Sequence, residues 1–446
     1  MNKQTDEEVI RLANEGNYDA MYELARRYLH GYIEIKVDKE KAFELYEKVA
    51  LETDNVDAKY MYGYCLYNAL GTRKDDSKAV EVFKDAASRG DVSSKYMLGI
   101  MHYYGRGVEK NYEEAKRYFD ETLAEGNEKH KTDAKYMLGL MYYNGRGVEL
   151  NYEKAKDLFE ITTINGSDRQ KNETSYLLGL MYYNARGVKK DYQKAAKYFE
   201  YVSNNGNDKQ RRDAEYMLGL CNYYSSTPNY EKAIECFENC YKRGNLESCY
   251  MLGLVNFYGN GKIEDFSRAK DYFEESFEKT GDLSAAYMLG IIYYNGRSVE
   301  QDYAKAKEYF DMCANNNKQN GISMLGQMYY NGNGVPKDYM KAREYFNNLL
   351  TSQKSSYVAI AKFFLGLMSY NGEGTGVNYE EARKLFEEAA ALNYYEADYY
   401  LGKLYYWADG VSEDKDKARY YFELAANNGV NSAKKALTEY YQVAQE

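Results

Sequence analysis

Proline is nearly missing from this chain of 446 residues, with two copies, and tryptophan and histidine follow with one and three. So little proline leaves few fixed corners, and 35 glycines take over the punctuation. That balance suits helices stopped by glycine turns better than a sheet folded on proline bends. His30, His102 and His130 stand far apart, and no Ser/His/Asp or Cys/His arrangement can be built from them. No Cys-x2-Cys pair with a nearby histidine exists among the six cysteines, so no metal site is expected. Apolar runs are short, and none approaches the roughly 18 residues of a membrane helix. Positive charge is also in deficit: the formal net charge is −10, with both signs interleaved. Nonspecific nucleic-acid binding needs a net basic footprint, and the balance here is acidic. The opening stretch Met1–Glu8 is polar and lacks the apolar core of a signal peptide. Cytoplasmic residence as a monomer is the expectation, without membrane insertion, cofactor or nucleic acid.

What the chain has in excess is tyrosine, at 54 residues, and repetition. An alanine sits four residues after an Asp or Asn and four before an aromatic, from Ala42 to Ala418, at intervals of 36 to 40 residues. The eleven alanines are Ala42, Ala79, Ala115, Ala155, Ala195, Ala233, Ala269, Ala306, Ala342, Ala382 and Ala418. Such a period is the mark of a helical solenoid, in which one hairpin stacks on copies of itself.

Residues 133–165 serve as the type unit. A first helix runs through Ala134, Tyr136, Leu138, Gly139, Tyr142 and Tyr143 and stops at Asn144-Gly145-Arg146-Gly147. Glycine there can take the left-handed conformation that closes a helix end. Asn151 caps a second helix reaching about Glu160, where Ala155 and Phe159 share one face. A mid-helix Gly139 costs about 1 kcal/mol relative to alanine, so close helix crossing is the expected compensation. Four repeats carry extra residues near Glu128–Lys131, Asp168–Lys171, Asp208–Arg211 and Ser352–Ser355. These predict either a longer helix or a protruding loop. Thr5 and Glu8 read as a capping box. Residues 1–16 and 431–446 are expected to be capping helices around a repeat array over 17–430.

The unit Ala134, Leu138-Gly139, Tyr142, Gly145-Arg-Gly147-Val148, Asn151, Lys154-Ala155 and Phe159 resembles the Sel-one-like repeat family, a relative of the tetratricopeptide-like solenoids. Two repeats depart from it: Ser225-Ser226-Thr227-Pro228 replaces one glycine turn, and Ala25 stands where glycine is expected. The resemblance implies an all-α, right-handed α/α superhelical solenoid of about eleven repeats. It also implies scaffold or adaptor work on one or more proteins or peptides, not catalysis. A regulatory subunit that activates a partner enzyme is the alternative, and a hydrolase, as proposed for some secreted relatives, a weaker one. Cysteine-rich secreted bacterial members place a disulfide where Cys240 and Cys249 fall. Without a signal peptide, buried free thiols are the reading preferred here.

Tyrosines also recur two and nine residues after the opening alanine, on a side of the first helix away from its own partner. Tyr96, Tyr136, Tyr176 and Tyr216 belong to the first set, and Tyr103, Tyr143, Tyr183 and Tyr223 to the second. Either they pack against neighbouring repeats or they line a partner-binding groove. The inserted segments bring Lys129, Lys131, Arg169, Lys171, Arg211 and Arg212, which predict a basic edge for an acidic partner or a merely solvated face. His102 occupies a recurrent tyrosine position and reads as a packed imidazole. Gly372-Glu-Gly374-Thr-Gly376 follows a helix, so it is a repeat turn and not a phosphate loop.

Overall fold

The computed structural model describes residues 5–441. Among these, 24 helices are the only regular elements. Eleven helical hairpins follow one another between a leading helix, Asp6–Asn14, and a closing one, Asn431–Tyr441. Residues 1–4 and 442–446, which the sequence assigned to the caps, lie outside the described residues. The chain divides into two compact units, residues 1–236 and 237–446, with the boundary inside the helix Tyr230–Lys242.

Local chemistry explains why each hairpin forms. Every second helix starts on an Asp or Asn whose side chain accepts the third backbone N–H of that helix. In the type unit this is Asn151 accepting from Lys154 at 2.9 Å, a bond worth about 1 kcal/mol. The cap is held to its own first helix as well, since the Asn151 N–H donates to the Tyr142 carbonyl at 3.0 Å.

The two helices of a hairpin meet through a ring laid on a glycine. Phe159 is fully buried, and a Cβ added to Gly139 would stand 2.6 Å from its ring. The same pairing joins Gly99 to Phe119 and Gly179 to Phe199 in the first unit, and Gly290 to Phe310 and Gly402 to Phe422 in the second. Burying a phenyl ring contributes about 2–3 kcal/mol, which exceeds the helix propensity lost to glycine.

Turns join successive repeats. Gly145 closes its helix in the left-handed region at φ 64°. Gly147, at φ 67°, lies so close to the preceding repeat that a Cβ would fall 2.5 Å from that of Tyr112. Ala69, Ala185 and Ala408 adopt the same left-handed cap without glycine, at φ 56°, 57° and 58°. At the irregular turn Ser225 takes φ −58° instead, and Gln193 Nε2 donates to Thr227 Oγ1 at 3.1 Å. Ala25 is fully buried in the first repeat.

The extra residues become helix. Glu128–Asn144, Asp168–Asn184, Asp208–Tyr224 and Ser355–Asn371 each have 17 residues, where Val92–Tyr104 has 13. Four residues add about 6 Å of helix. The leading helix is anchored by ions: Asp6 accepts from Arg27 and from the Glu34 N–H at 2.9 Å. Thr5 caps it, accepting from the Glu8 N–H at 3.2 Å.

Candidate functional site

The two tyrosine sets of the first unit occupy different settings. Tyr96, Tyr136, Tyr176 and Tyr216 are all half-buried. Tyr96 and Tyr176 lie beside the phenylalanine of their own hairpin, with centroids 5.8 Å apart for Tyr96–Phe119 and 5.5 Å for Tyr176–Phe199. The outer rim of this row meets a carboxylate from the next repeat. Tyr136 donates its hydroxyl hydrogen to Glu173, and Glu173 in turn accepts from Arg169 Nε at 3.0 Å. Burial, followed by that carboxylate, pushes the Tyr136 phenol well above its usual range. Tyr96 is also raised, by burial first and Asp133 next. Both phenols therefore remain neutral hydrogen-bond donors.

Between the helices Glu128–Asn144, Asp168–Asn184 and Asp208–Tyr224 lies an open groove of about 260 Å³. Tyr136, Tyr176, Leu140 and Leu177 supply its apolar walls, while Glu173, Gln210 and Asp213 supply its polar atoms. Two of the sequence-predicted tyrosines thus come together in one cleft. A second groove of the same unit, about 480 Å³, is set among the stacked Tyr182 and Tyr198 with Glu160, Lys194 and Lys197. A third, about 300 Å³ in the other unit, is lined mainly by polar groups including Asp311, Lys341 and Glu344.

Tyr103 and Tyr143 belong to the joints between repeats. Tyr103 is buried, and its hydroxyl accepts from Arg146 Nη1 at 2.9 Å. Tyr143 accepts from Arg186 at 3.3 Å, as Tyr67 does from Arg106 at 2.7 Å. In the second unit Asn333 donates to Tyr294 at 2.6 Å, and Tyr370 donates to Asp409 at 3.0 Å. The donor or acceptor in each pair is the residue between the two turn glycines, or its equivalent, of the following repeat. Sequence reasoning missed this clasp. Its signal was the recurrence of arginine at positions 106, 146, 186 and 297. Tyr183 has no such arginine above it; it packs edge-on to Tyr192 at 5.3 Å, and burial raises its phenol to about 12. Tyr223 packs edge-on to Tyr230 at 5.6 Å.

The basic residues stand in the first turns of the elongated helices. Lys129, Arg169, Arg211 and Arg212 are exposed, while Lys131 and Lys171 are half-buried. Arg169 ties this edge to the tyrosine row through Glu173, whereas Lys131 pairs loosely with Glu128 at 3.6 Å.

Chemistry elsewhere is muted. Cys65, Cys221, Cys236, Cys249 and Cys313 are buried free thiols, and burial raises Cys249 to about 11 and Cys221 to about 12. With Cys249 a free thiol, the family-type disulfide to Cys240 is not formed. His102 stacks on Tyr118 at 5.7 Å, and burial lowers its basicity. Among the described residues no cluster of three His, Cys, Asp or Glu side chains could hold a metal ion, and no helix is long and apolar enough to cross a membrane. Asn172-Glu173-Thr174 has the pattern of a glycosylation acceptor, but Asn172 and Thr174 are buried and Asn172 donates to the Asn205 carbonyl at 3.0 Å.

Hairpins stacked through glycine-seated rings, clasped by their turns and displaying a tyrosine row, define an α/α solenoid repeat protein. The chain belongs to the Sel1 repeat family. The Sel1 repeat matches residues 19–54, 56–91, 92–127, 132–163, 173–207, 212–245, 246–280, 283–318, 320–347, 359–394 and 396–430. Among curated proteins, it is 33% identical over 87 residues to the chitin synthase regulator SKT5 of Saccharomyces cerevisiae, covering 20% of this chain and 12% of that protein. Among solved structures, c5321, a protective antigen of uropathogenic Escherichia coli with an SLR fold, matches with a TM-score of 0.68. That likeness covers 99% of this chain and 92% of the other at 23% identity, and it concerns the fold. A Sel1 repeat protein from Oxalobacter formigenes matches with a TM-score of 0.48 at 19% identity, over 82% and 94% of the two chains.

Proposed function

We propose that this chain is a non-catalytic scaffold that takes a segment of a partner protein along the tyrosine row of its first helices. Sel1-repeat proteins generally act as protein-interaction scaffolds. The observation that carries the reading is the groove beside Tyr136 and Tyr176, open to solvent and walled by rings already braced from behind. Prebraced rings lose little side-chain entropy on binding, which favours them as anchors. Tyr96 and Tyr216 continue the row on neighbouring repeats. Tyr103 and Tyr143 serve it by holding repeats in register, and Tyr183 and Tyr223 by bracing their own hairpins. Lys129, Lys131, Arg169, Lys171, Arg211 and Arg212 flank it and offer contacts to carboxylates of the same segment.

The yeast relative's description as a regulator favours a second reading, in which the bound partner is an enzyme that this chain activates. Assaying a captured enzyme with and without the chain separates that role from passive tethering. We further propose cytoplasmic residence, a monomeric state, and capping roles for the terminal helices, whose Val9, Ala13, Ala433 and Leu437 are buried.

The test is quantitative capture of partners from the cell of origin by the full chain and by a Tyr136→Ala, Tyr176→Ala double variant. At least one partner is expected to be lost tenfold or more while the melting temperature falls by only a few degrees. Capture that is unchanged, or that declines only in step with stability, would remove the tyrosine row from the binding surface.

A further inference from the structure

The groove at Tyr136 and Tyr176 has a charge as well as a shape. Its walls are apolar, two tyrosine rings and two leucines, and its polar atoms are two carboxylates and an amide. The chain itself shows what such a set holds. Arg27 sits with its guanidinium 4.4 Å from the Tyr32 ring while pairing with Asp6 and Glu23. Arg117 lies 4.1 Å from the Tyr118 ring and pairs with Glu114 at 2.8 Å and with Glu121. In both places a tyrosine face and two carboxylates surround one guanidinium. The groove presents that combination again: the rings of Tyr136 and Tyr176, with Glu173 and Asp213. Arg169 reaches Glu173 from a side chain that is 83% exposed, and so from the rim.

We propose that this groove receives an arginine side chain of the partner segment. The inference rests on the scaffold reading and names the anchor it uses. The aliphatic stem of the arginine packs between Leu140 and Leu177. Its planar head stacks on a tyrosine ring and pairs with Asp213 and Glu173, displacing Arg169 toward solvent. Guanidinium is preferred to ammonium because it is flat, weakly hydrated and able to meet a carboxylate with two parallel N–H groups. The Tyr136 hydroxyl, which holds Glu173, fixes the direction of that carboxylate.

Saturation-transfer NMR with the full chain tests this directly. The probes are acetylated, amidated seven-residue Gly/Ser peptides with one central residue: arginine, lysine, norleucine or glutamate. The arginine peptide is expected to receive saturation at its δ-methylene at least fivefold more strongly than the lysine peptide. Asp213→Asn and Tyr176→Ala are each expected to weaken that signal about tenfold, and Glu149→Gln, an equal change of charge at an exposed turn, to leave it intact. Circular dichroism melts confirm that the variants are folded. An equal signal from norleucine, a signal from glutamate, no signal from arginine, or an equal loss with Glu149→Gln would each overturn the arginine anchor. The scaffold reading survives any of those results if the double tyrosine variant still loses its partner, so the two can fail separately.

Discussion

At the scale of single residues, a side chain in a stacked repeat is matched to a partner in its own hairpin, and a change on one side strands the other. After the opening small residue of the first helix, several repeats carry a lysine that meets an acid on the second helix. Lys59 pairs with Asp85 at 2.6 Å, Lys95 with Glu121 at 3.3 Å, and Lys362 with Glu388. In the last repeat the lysine position holds Asp398 and the acid position Leu424. Asp398 is 2% exposed, and burial raises its carboxyl to about 6 from 3.8. A raised carboxyl pKa means that the folded state holds the proton more tightly than the unfolded chain. The penalty for ionising Asp398 is therefore absent below about pH 4, grows between pH 4 and 6, and is complete above. Two units correspond to about 3 kcal/mol. Asp398→Asn is expected to raise the melting temperature by several degrees at pH 7.5 and to leave it unchanged near pH 3.5. A gain that is the same at both pH values would contradict this account.

At the scale of elements, most of each hairpin was legible because its determinants are local. Asn151 and its ten equivalents cap helices through a bond three residues away, and Gly145 ends a helix through its own φ. The need for close crossing at Gly139 was legible too, although which atom fills the gap was not. The inserted residues left two outcomes open, and helix won: in three of the four Asn127, Ser167 and Asn207 cap the extra turn, while the helix after Lys354 forms without a side-chain cap. The clasp of Arg146 on Tyr103 was hidden, since its members lie 43 residues apart and meet only once repeats are stacked. Glu173 over Tyr136 was hidden for the same reason, so the sequence marked tyrosines without separating joints from groove. Left-handed caps carry their own expectation. Alanine in that conformation costs about 1 kcal/mol more than glycine. Ala69→Gly, Ala185→Gly and Ala408→Gly should each stabilise the chain by about that amount in urea unfolding. No gain at any of the three would show that the turn's other bonds set its conformation.

At the scale of the whole molecule, repeats that touch only their neighbours do not unfold as one body. The division into residues 1–236 and 237–446 gives that statement a coarse grain. Calorimetry is expected to give a van't Hoff enthalpy below the calorimetric one, and a ratio of one would mean that both units melt together. This division was not legible in the sequence, where the eleven alanines keep their spacing across residue 236 and nothing in the composition shifts there. The clasps, finally, all point one way. In each described case a turn reaches back to the aromatic of the repeat before it, and among the described residues no turn follows the hairpin that carries Tyr406. The closing helix fills that vacancy with Tyr440, stacked on Tyr406 at 4.4 Å, and Tyr441 donates to the Lys415 carbonyl at 2.7 Å. Polarity of this kind makes the two ends chemically unlike. Whole units duplicated or lost in the interior would find familiar contacts on both sides, whereas one placed directly after Tyr406 would compete with Tyr440 for that ring.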